Sequence, residues 1–212
     1  PPPPLPRIVL PEPPASAQRM LRLLDASVGY DEPLLTGLDF ELLRGMRVAV
    51  LGANGSGKST ILKSLAGTLP LLDGRRLPGD RVRLGMFHQE VMEDLEPDQT
   101  PMEALVTVAP TMVQSRVRAI LGALGLPGDA GLRPIGDLSG GERARVALAR
   151  LVARPHNVLL LDEPTNHLDA ETVEVLVRAL KAWTGAMLLV SHDRYVVEQL
   201  ATHVLDAHTG EL

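Results

Sequence analysis

Three short apolar runs punctuate the chain: Val48-Ala49-Val50-Leu51, Val158-Leu159-Leu160-Leu161 and Met187-Leu188-Leu189-Val190. None alternates with polar residues. Unbroken runs of this length suit parallel strands covered on both faces. Each ends in polar or glycine-rich residues and gives way to a helical pattern. After Asp169, for example, Val173, Leu176, Val177 and Leu180 recur at helical spacing. This alternation is that of an α/β core.

Two regions read differently. Leu21 to Leu43 holds short strand-like pieces with turns expected around Gly29 and Gly37, and with Arg81 to Phe87 it is expected to form a small antiparallel sheet. Thr100 to Gly125 reads as helices. Thr100 is placed to cap, Pro101 suits the first helical position, Glu103 completes a capping box, and Gly125 can close the second helix. The expected fold class is therefore α/β: a parallel core sheet carrying an antiparallel β lobe and a helical lobe at about 98–153. No internal repeat is visible.

Composition narrows this picture. Hydrophobic residues make up 45% of the 212, enough for a sizeable core, but aromatics are only 2%, so Leu, Val, Ala and Ile must fill it. The absence of cysteine excludes disulfide staples and thiolate metal sites and fits a reducing compartment. A net charge of −5 gives no sign of a broad nucleic-acid surface. No apolar run approaches the roughly 20 residues of a membrane helix, and no signal peptide is visible. The stretch from Pro1 to Pro14 is mostly proline. Residues 1–19 read as a linker or a tail lying along a surface, with ordered structure expected from near Arg19 or Met20 and a single domain over 20–212. Beginning without Met and stopping after Thr209-Gly210-Glu211, the chain reads as a segment of a longer protein.

Candidate chemistry sits at the ends of the apolar runs. Gly52-Ala53-Asn54-Gly55-Ser56-Gly57-Lys58-Ser59 fits the P-loop pattern, with a strand before it and a helix expected over Ser59–Ala66, stopping at Gly67. Its glycines let backbone N–H groups turn inward around phosphate oxygens, and the helix N-terminus adds partial positive charge. Gly52, Asn54, Gly55, Ser56, Gly57, Lys58, Ser59 and Thr60 are thus candidate nucleotide contacts. Lys58 is expected to reach the β- and γ-phosphates, and the Ser59 hydroxyl to bind Mg²⁺. The plainer reading is a glycine-rich turn without ligand. Asp162 and Glu163 end the second run, at the edge where ligands of open α/β sheets gather. Asp162 can hold Mg²⁺ and Glu163 can polarise an attacking water; the alternative is a solvated turn. Leu138-Ser139-Gly140-Gly141-Glu142 precedes a helical stretch, Arg143 to Ala153. Ser139 and Glu142 make a capping box, so it reads either as a helix start alone or as a helix N-terminus bared for a phosphate.

Taken in order, the P-loop, Gln89, Leu138–Glu142, Asp162-Glu163 and Ser191-His192-Asp193 resemble an ABC ATPase over nearly all of Met20 to Leu212. The resemblance implies roles. Gln89 would sense Mg²⁺ and the γ-phosphate. Ser139, Gly140 and Gly141 would be signature residues, Asp169 the D-loop aspartate and His192 the switch histidine. Tyr30 would stack on adenine, unless it is a packed tyrosine near a turn. ATP and Mg²⁺ are the implied cofactors.

Asp162-Glu163-Pro164-Thr165-Asn166-His167-Leu168-Asp169 and Ser191-His192-Asp193-Arg194-Tyr195 further resemble the ABC-F family. That family carries two ABC domains per chain, lacks membrane domains, and mostly acts on ribosomes in translation or antibiotic protection. A second ABC domain, in the same full-length chain or as a homodimer of the fragment, is the implied partner, together with the ribosome, in the cytoplasm and without membrane insertion. The proline-rich start, the short stretch from Gln89 to Leu138, and Glu142 followed by Arg143-Ala144-Arg145 resemble a second copy in particular. The competing functions are the ATPase of a membrane transporter and a soluble DNA-maintenance ATPase.

Overall fold

The computed structural model describes residues 6–211; the extended path expected for residues 1–5, and Leu212, lie outside them. The described residues divide into two compact units, a sheet unit (13–86, 156–163 and 184–211) and a helical unit (6–12, 87–155 and 164–183).

The sheet unit holds two sheets. The first has β1 (Arg19–Gly29), β2 (Pro33–Leu43) and β4 (Asp73–Pro78) in the order β2-β1-β4, both pairings antiparallel. The second has β3 (Arg47–Leu51), β5 (Leu84–Phe87), β6 (Val158–Asp162), β7 (Ala186–Val190) and β8 (His203–Asp206) in the order β5-β6-β7-β3-β8. Strands β6, β7, β3 and β8 run parallel. The three apolar runs are its central strands, and every residue from Val158 to Leu161 and from Ala186 to Val190 is buried. Helix α1 (Lys58–Ala66) buries Ile61, Leu62 and Leu65 in the same core. The inward residues of β1 and β2, among them Leu21, Leu23, Phe40 and Leu42, complete it. Helix α6 (Arg194–Leu200) follows β7.

The expected pairing of 81–87 is corrected: its strand, β5, lies beside β6 in the core sheet, and β4 takes the antiparallel edge. Strand β4 is mostly exposed, so ladder hydrogen bonds to β1 rather than an apolar face hold it, and no hydrophobic pattern marks it. Gly37 is not a turn but lies within β2, in a stretch where the register with β1 shifts. Burial also starts ahead of Arg19, since Ile8 is only 4% exposed.

Asn157 ties the sheet unit together at the foot of β6. Its side-chain oxygen accepts from Arg83 N–H at 2.7 Å, and its amide nitrogen donates to the carbonyls of Arg81 at 2.9 Å and Pro14 at 3.2 Å. The residue is 1% exposed. Asn157→Leu keeps the approximate volume and orphans all three partners, at about 1–3 kcal/mol for each that stays dry. A loss of about 3 kcal/mol, or roughly 10 °C in melting temperature for a chain of this size, is expected by circular dichroism. A shift under about 2 °C would show that water reaches these groups freely.

The helical unit contains α2 (Pro101–Val108), α3 (Gln114–Ala123), α4 (Gly140–Ala153) and α5 (Ala170–Ala182). Both expected capping boxes form, Thr100 with Glu103 and Ser139 with Glu142. Asp169 caps α5 through Thr172 N–H at 2.8 Å. These bonds satisfy helix-end donors that would otherwise lack partners, and they hold the carboxyls of Glu103, Glu142 and Asp169 below their ordinary range.

Candidate nucleotide-binding site

Strands β3, β6 and β7 end at one edge of the parallel sheet, and the loops leaving them build the site. After β3 the chain turns through Gly52 to Gly57 into α1. Gly57 takes the N-cap position with φ 94°, and Gly55 has φ 81°, a left-handed conformation that side chains resist. No side chain caps α1 and no acid stands in its first turn, so its leading N–H groups and partial positive charge remain for an anion. Lys58 is 9% exposed, and its ammonium donates to the carbonyls of Gly52 at 2.9 Å and Ala53 at 2.8 Å. Among the described residues the buried Ser56 Oγ has no hydrogen-bond partner.

Asp162 is the last residue of β6, paired in register with Val190 of β7. Glu163 follows with φ 49°, an uncommon conformation for a non-glycine residue, and its N–H donates to Val190 O at 2.9 Å. This turn keeps the Glu163 side chain close to the end of β7. Its Oε2 accepts from His192 N–H at 3.3 Å, and its Oε1 lies 3.3 Å from His192 Nε2. Among the described residues the buried Oε1 has no hydrogen-bond partner. Burial pushes the Glu163 carboxyl above its ordinary range; the neighbouring Asp162 charge adds to this, and His192 and Lys58 oppose it. Beyond His192, Ser191 Oγ accepts from Asp193 N–H, and Asp193 caps α6.

A cleft of about 410 Å³ results, lined by Asn54, Gly55, Gly57, Lys58, Ser59, Thr60, Asp162, Glu163 and His192, with Leu34 and Val190. Sequence reasoning missed the last two. Leu34, exposed at the start of β2, stands 3.6 Å from where a Cβ on Gly57 would lie, a proximity the sequence does not signal. Gly52 and Ser56 belong to the loop but do not line the cleft. Tyr30 does not line it either; the residue is 56% exposed in the bend between β1 and β2, so it is not a packed core tyrosine. Gln89, Ser139, Gly140, Gly141 and Asp169 belong to the helical unit. Gln89 is exposed and opens a 3₁₀ turn, while Ser139 to Gly141 begin α4.

The donors fit a hard cation. The Ser59 hydroxyl and the Asp162 carboxylate supply oxygen, the ligand type Mg²⁺ takes. Among the described residues no group of three or more His, Cys, Asp or Glu could hold a metal alone. Mg²⁺ here would thus depend on phosphate oxygens and water for the rest of its shell.

An open helix N-terminus beside a lysine, facing two carboxylates across a sheet edge, defines a P-loop nucleotide-binding domain. The chain belongs to the ABC transporter family, whose sequence pattern matches residues 35–166. It is an ABC ATPase domain similar to those of F-family proteins. It is 39% identical over 198 residues to ABC transporter F family member 4 of Arabidopsis thaliana, covering 90% of this chain and 27% of that protein. To ATP-binding cassette sub-family F member 2 of Mus musculus it is 40% identical over 172 residues, covering 81% and 27%. To YdiF of Bacillus subtilis it is 41% identical over 199 residues, covering 93% and 31%. The chain thus spans about a third or less of these relatives.

Among solved structures, a bacterial Atm1-family ABC exporter with ATP bound matches with a TM-score of 0.75 and 26% identity, over 93% of this chain and 39% of the exporter. An ATP-binding cassette solved as a dimer in a post-hydrolysis state with ADP and Pi matches at 0.73 and 23% identity, over 90% and 96%. The latter likeness is one of fold. Among the described residues no helix is long and apolar enough to cross a membrane.

Proposed function

We propose that this domain binds Mg-ATP in the Lys58 cleft and hydrolyses it when a second ABC domain closes over the nucleotide, as half of an F-type protein working on the ribosome. The observation that carries the hydrolytic reading is the convergence of Lys58, Ser59, Asp162, Glu163 and His192 on one cleft from the ends of three parallel strands. Lys58 exchanges its two loop carbonyls for the β- and γ-phosphates, and the α1 amides hold the same oxygens. Ser59 and Asp162 would hold Mg²⁺, which would neutralise charge on the phosphates, and the family resemblance adds Gln89 as a further ligand. Glu163 takes or orients the proton of the attacking water. Burial raises its affinity for a proton above that of an ordinary carboxylate, the direction that suits a general base. His192, with its ring beside Glu163, contacts the γ-phosphate. Ser139, Gly140, Gly141 and Asp169 act on the nucleotide of the opposing domain.

Tyr30 is proposed to stack on the base. Its exposure supports this, since the ring is available to a ligand. Base–aromatic stacking is worth about 1–3 kcal/mol, so Tyr30→Ala should weaken ATP binding roughly tenfold without abolishing it. Equal affinities in a fluorescence titration would return Tyr30 to an ordinary surface residue.

The ribosome enters through the F-family likeness, carried by Asn166-His167-Leu168-Asp169 and Ser191 to Tyr195. Co-sedimentation with ribosomes in Mg-ATP, using the full-length Glu163→Gln protein, tests it. Retention with ribosomes supports the reading. Binding to DNA or to a transmembrane partner instead would replace it with one of the two competing functions.

A further inference from the structure

The loop 164–169, which carries Asp169, packs in the helical unit against the start of α4. A Cβ added to Gly141 would stand 3.9 Å from His167 Cβ. The Ser139–Gly141 segment has its own supports. Ser139 and Glu142 form the capping box, Arg133 bonds to Glu142 at 2.7 Å, and Arg143 donates to Leu138 O at 2.8 Å. The loop is held at its ends, by the buried Pro164 and Thr165 and by Asp169 capping α5, while Asn166 and His167 between them are exposed. Within it, Leu168 N–H bonds to Thr165 O at 3.1 Å.

Arg145, in the second turn of α4, joins the two. Its Nε donates to His167 O at 3.2 Å, and a terminal nitrogen donates to Gly125 O at 3.2 Å. Gly125, just past α3, is fitted to this arrangement. Its φ is +77°, and a Cβ there would stand 2.5 Å from that guanidinium nitrogen. The arginine charge also helps lower the Asp169 carboxyl, behind the larger effect of the Thr172 bonds. A guanidinium carries its donors in a rigid planar fork, so one side chain spans carbonyls of two loops that no ladder connects. Arg145 lines no part of the Lys58 cleft.

We propose that Arg145 is a positioning residue that sets the loop 164–169 in register with Ser139–Gly141, so that Asp169 and these residues meet the nucleotide of an opposing ABC domain as one preformed surface. The proposal rests on the paired-domain reading above. Its logic is preorganisation: a loop already held need not be ordered when the domains close.

The first measurement needs neither nucleotide nor partner. Amide hydrogen exchange across 164–169 in Arg145→Ala is expected to rise by roughly tenfold or more, with β6 and β7 unchanged. Gly125→Ala keeps the arginine but crowds its guanidinium, and it should loosen the same loop. Arg145→Lys offers a single donor group and should restore only part of the protection. These two variants also keep the test open if Arg145→Ala folds poorly. ATP affinity at the Lys58 cleft should stay within about twofold of wild type in all three, by titration with a fluorescent ATP analogue. With the opposing ABC domain present, Arg145→Ala should lower kcat for hydrolysis by roughly tenfold at unchanged KM.

Unchanged exchange at 164–169 overturns the proposal whatever the ATPase rate does. Faster exchange with wild-type kcat also overturns it and leaves Arg145 a packing role. Absence of partner-stimulated hydrolysis in the wild type sinks the paired-domain reading instead, and with it the role given to the loop, a failure the exchange data keep separate.

Discussion

In Glu163→Gln, ATP stays bound while hydrolysis falls by about 10²–10⁴-fold, the usual cost of losing a general base. The substitution is nearly isosteric. The amide oxygen can still accept from His192 N–H, and Lys58, Ser59 and Asp162 are untouched. What is lost is the ability to take up a proton, together with the carboxylate's charge. With the partner domain present, the Mg-ATP complex should accumulate as a closed pair, visible by light scattering as a species that wild type forms only transiently. Rapid turnover by a demonstrably monomeric fragment, with Ser139→Arg without effect in the presence of the partner, would remove the paired mechanism and leave nucleotide binding alone. A stability signature accompanies the kinetic one. The fold raises the proton affinity of Glu163, so it favours the protonated form. That contribution is complete below the ordinary carboxylate range and is lost as pH rises through the raised value. At neutral pH, without nucleotide, Glu163→Gln should therefore melt slightly above wild type, with the gap closing on acidification below about pH 4.

Lys58→Ala should cut ATP affinity by at least about 100-fold. A charge-assisted hydrogen bond contributes about 1.5–3 kcal/mol, and two such contacts to phosphate oxygens exceed the roughly 2.7 kcal/mol that 100-fold requires. The fold should survive. The carbonyls that the ammonium satisfies, Gly52 and Ala53, belong to exposed loop residues that water can reach. The core beneath depends on Ile61, Leu62 and Leu65, which the substitution leaves in place. A fluorescent ATP analogue titrated against both proteins, beside their circular dichroism spectra, provides the check. Unchanged affinity would take Lys58 out of the site.

The parallel core was legible because its central strands are buried, apart from Leu51 at the end of β3, so the runs at 48–51, 158–161 and 187–190 carry no polar interruption. The two capping boxes were legible because they use fixed residue types at fixed spacing. The edges were not. Strand β4 exposes nearly every side chain, and β8 buries only Leu205, so backbone hydrogen bonds place them without an apolar pattern to read. In the site, charged and glycine-rich positions announced themselves by chemistry, and the structure gathers Lys58, Ser59, Asp162, Glu163 and His192 in one cleft. Leu34 and Val190 carry no such mark and become cleft walls only through the turn after β1 and the end of β7. The positive φ of Glu163 was equally silent, because tertiary contacts rather than residue preference impose it.

The proline-rich stretch ahead of β1 bears on how this domain can be excised. A boundary drawn at Arg19, where regular secondary structure starts, looks natural. It would remove the buried Ile8 and the Val9 carbonyl that Arg116 holds at 3.0 Å in the helical unit. It would also remove the Pro14 carbonyl bound by Asn157 in the sheet unit. A chain trimmed there should express as a less soluble, more protease-sensitive product than one retaining Pro6 onward. A cleavage site at Arg19 therefore cuts away Ile8, Val9 and Pro14, whereas a boundary drawn ahead of Ile8 keeps all three contacts.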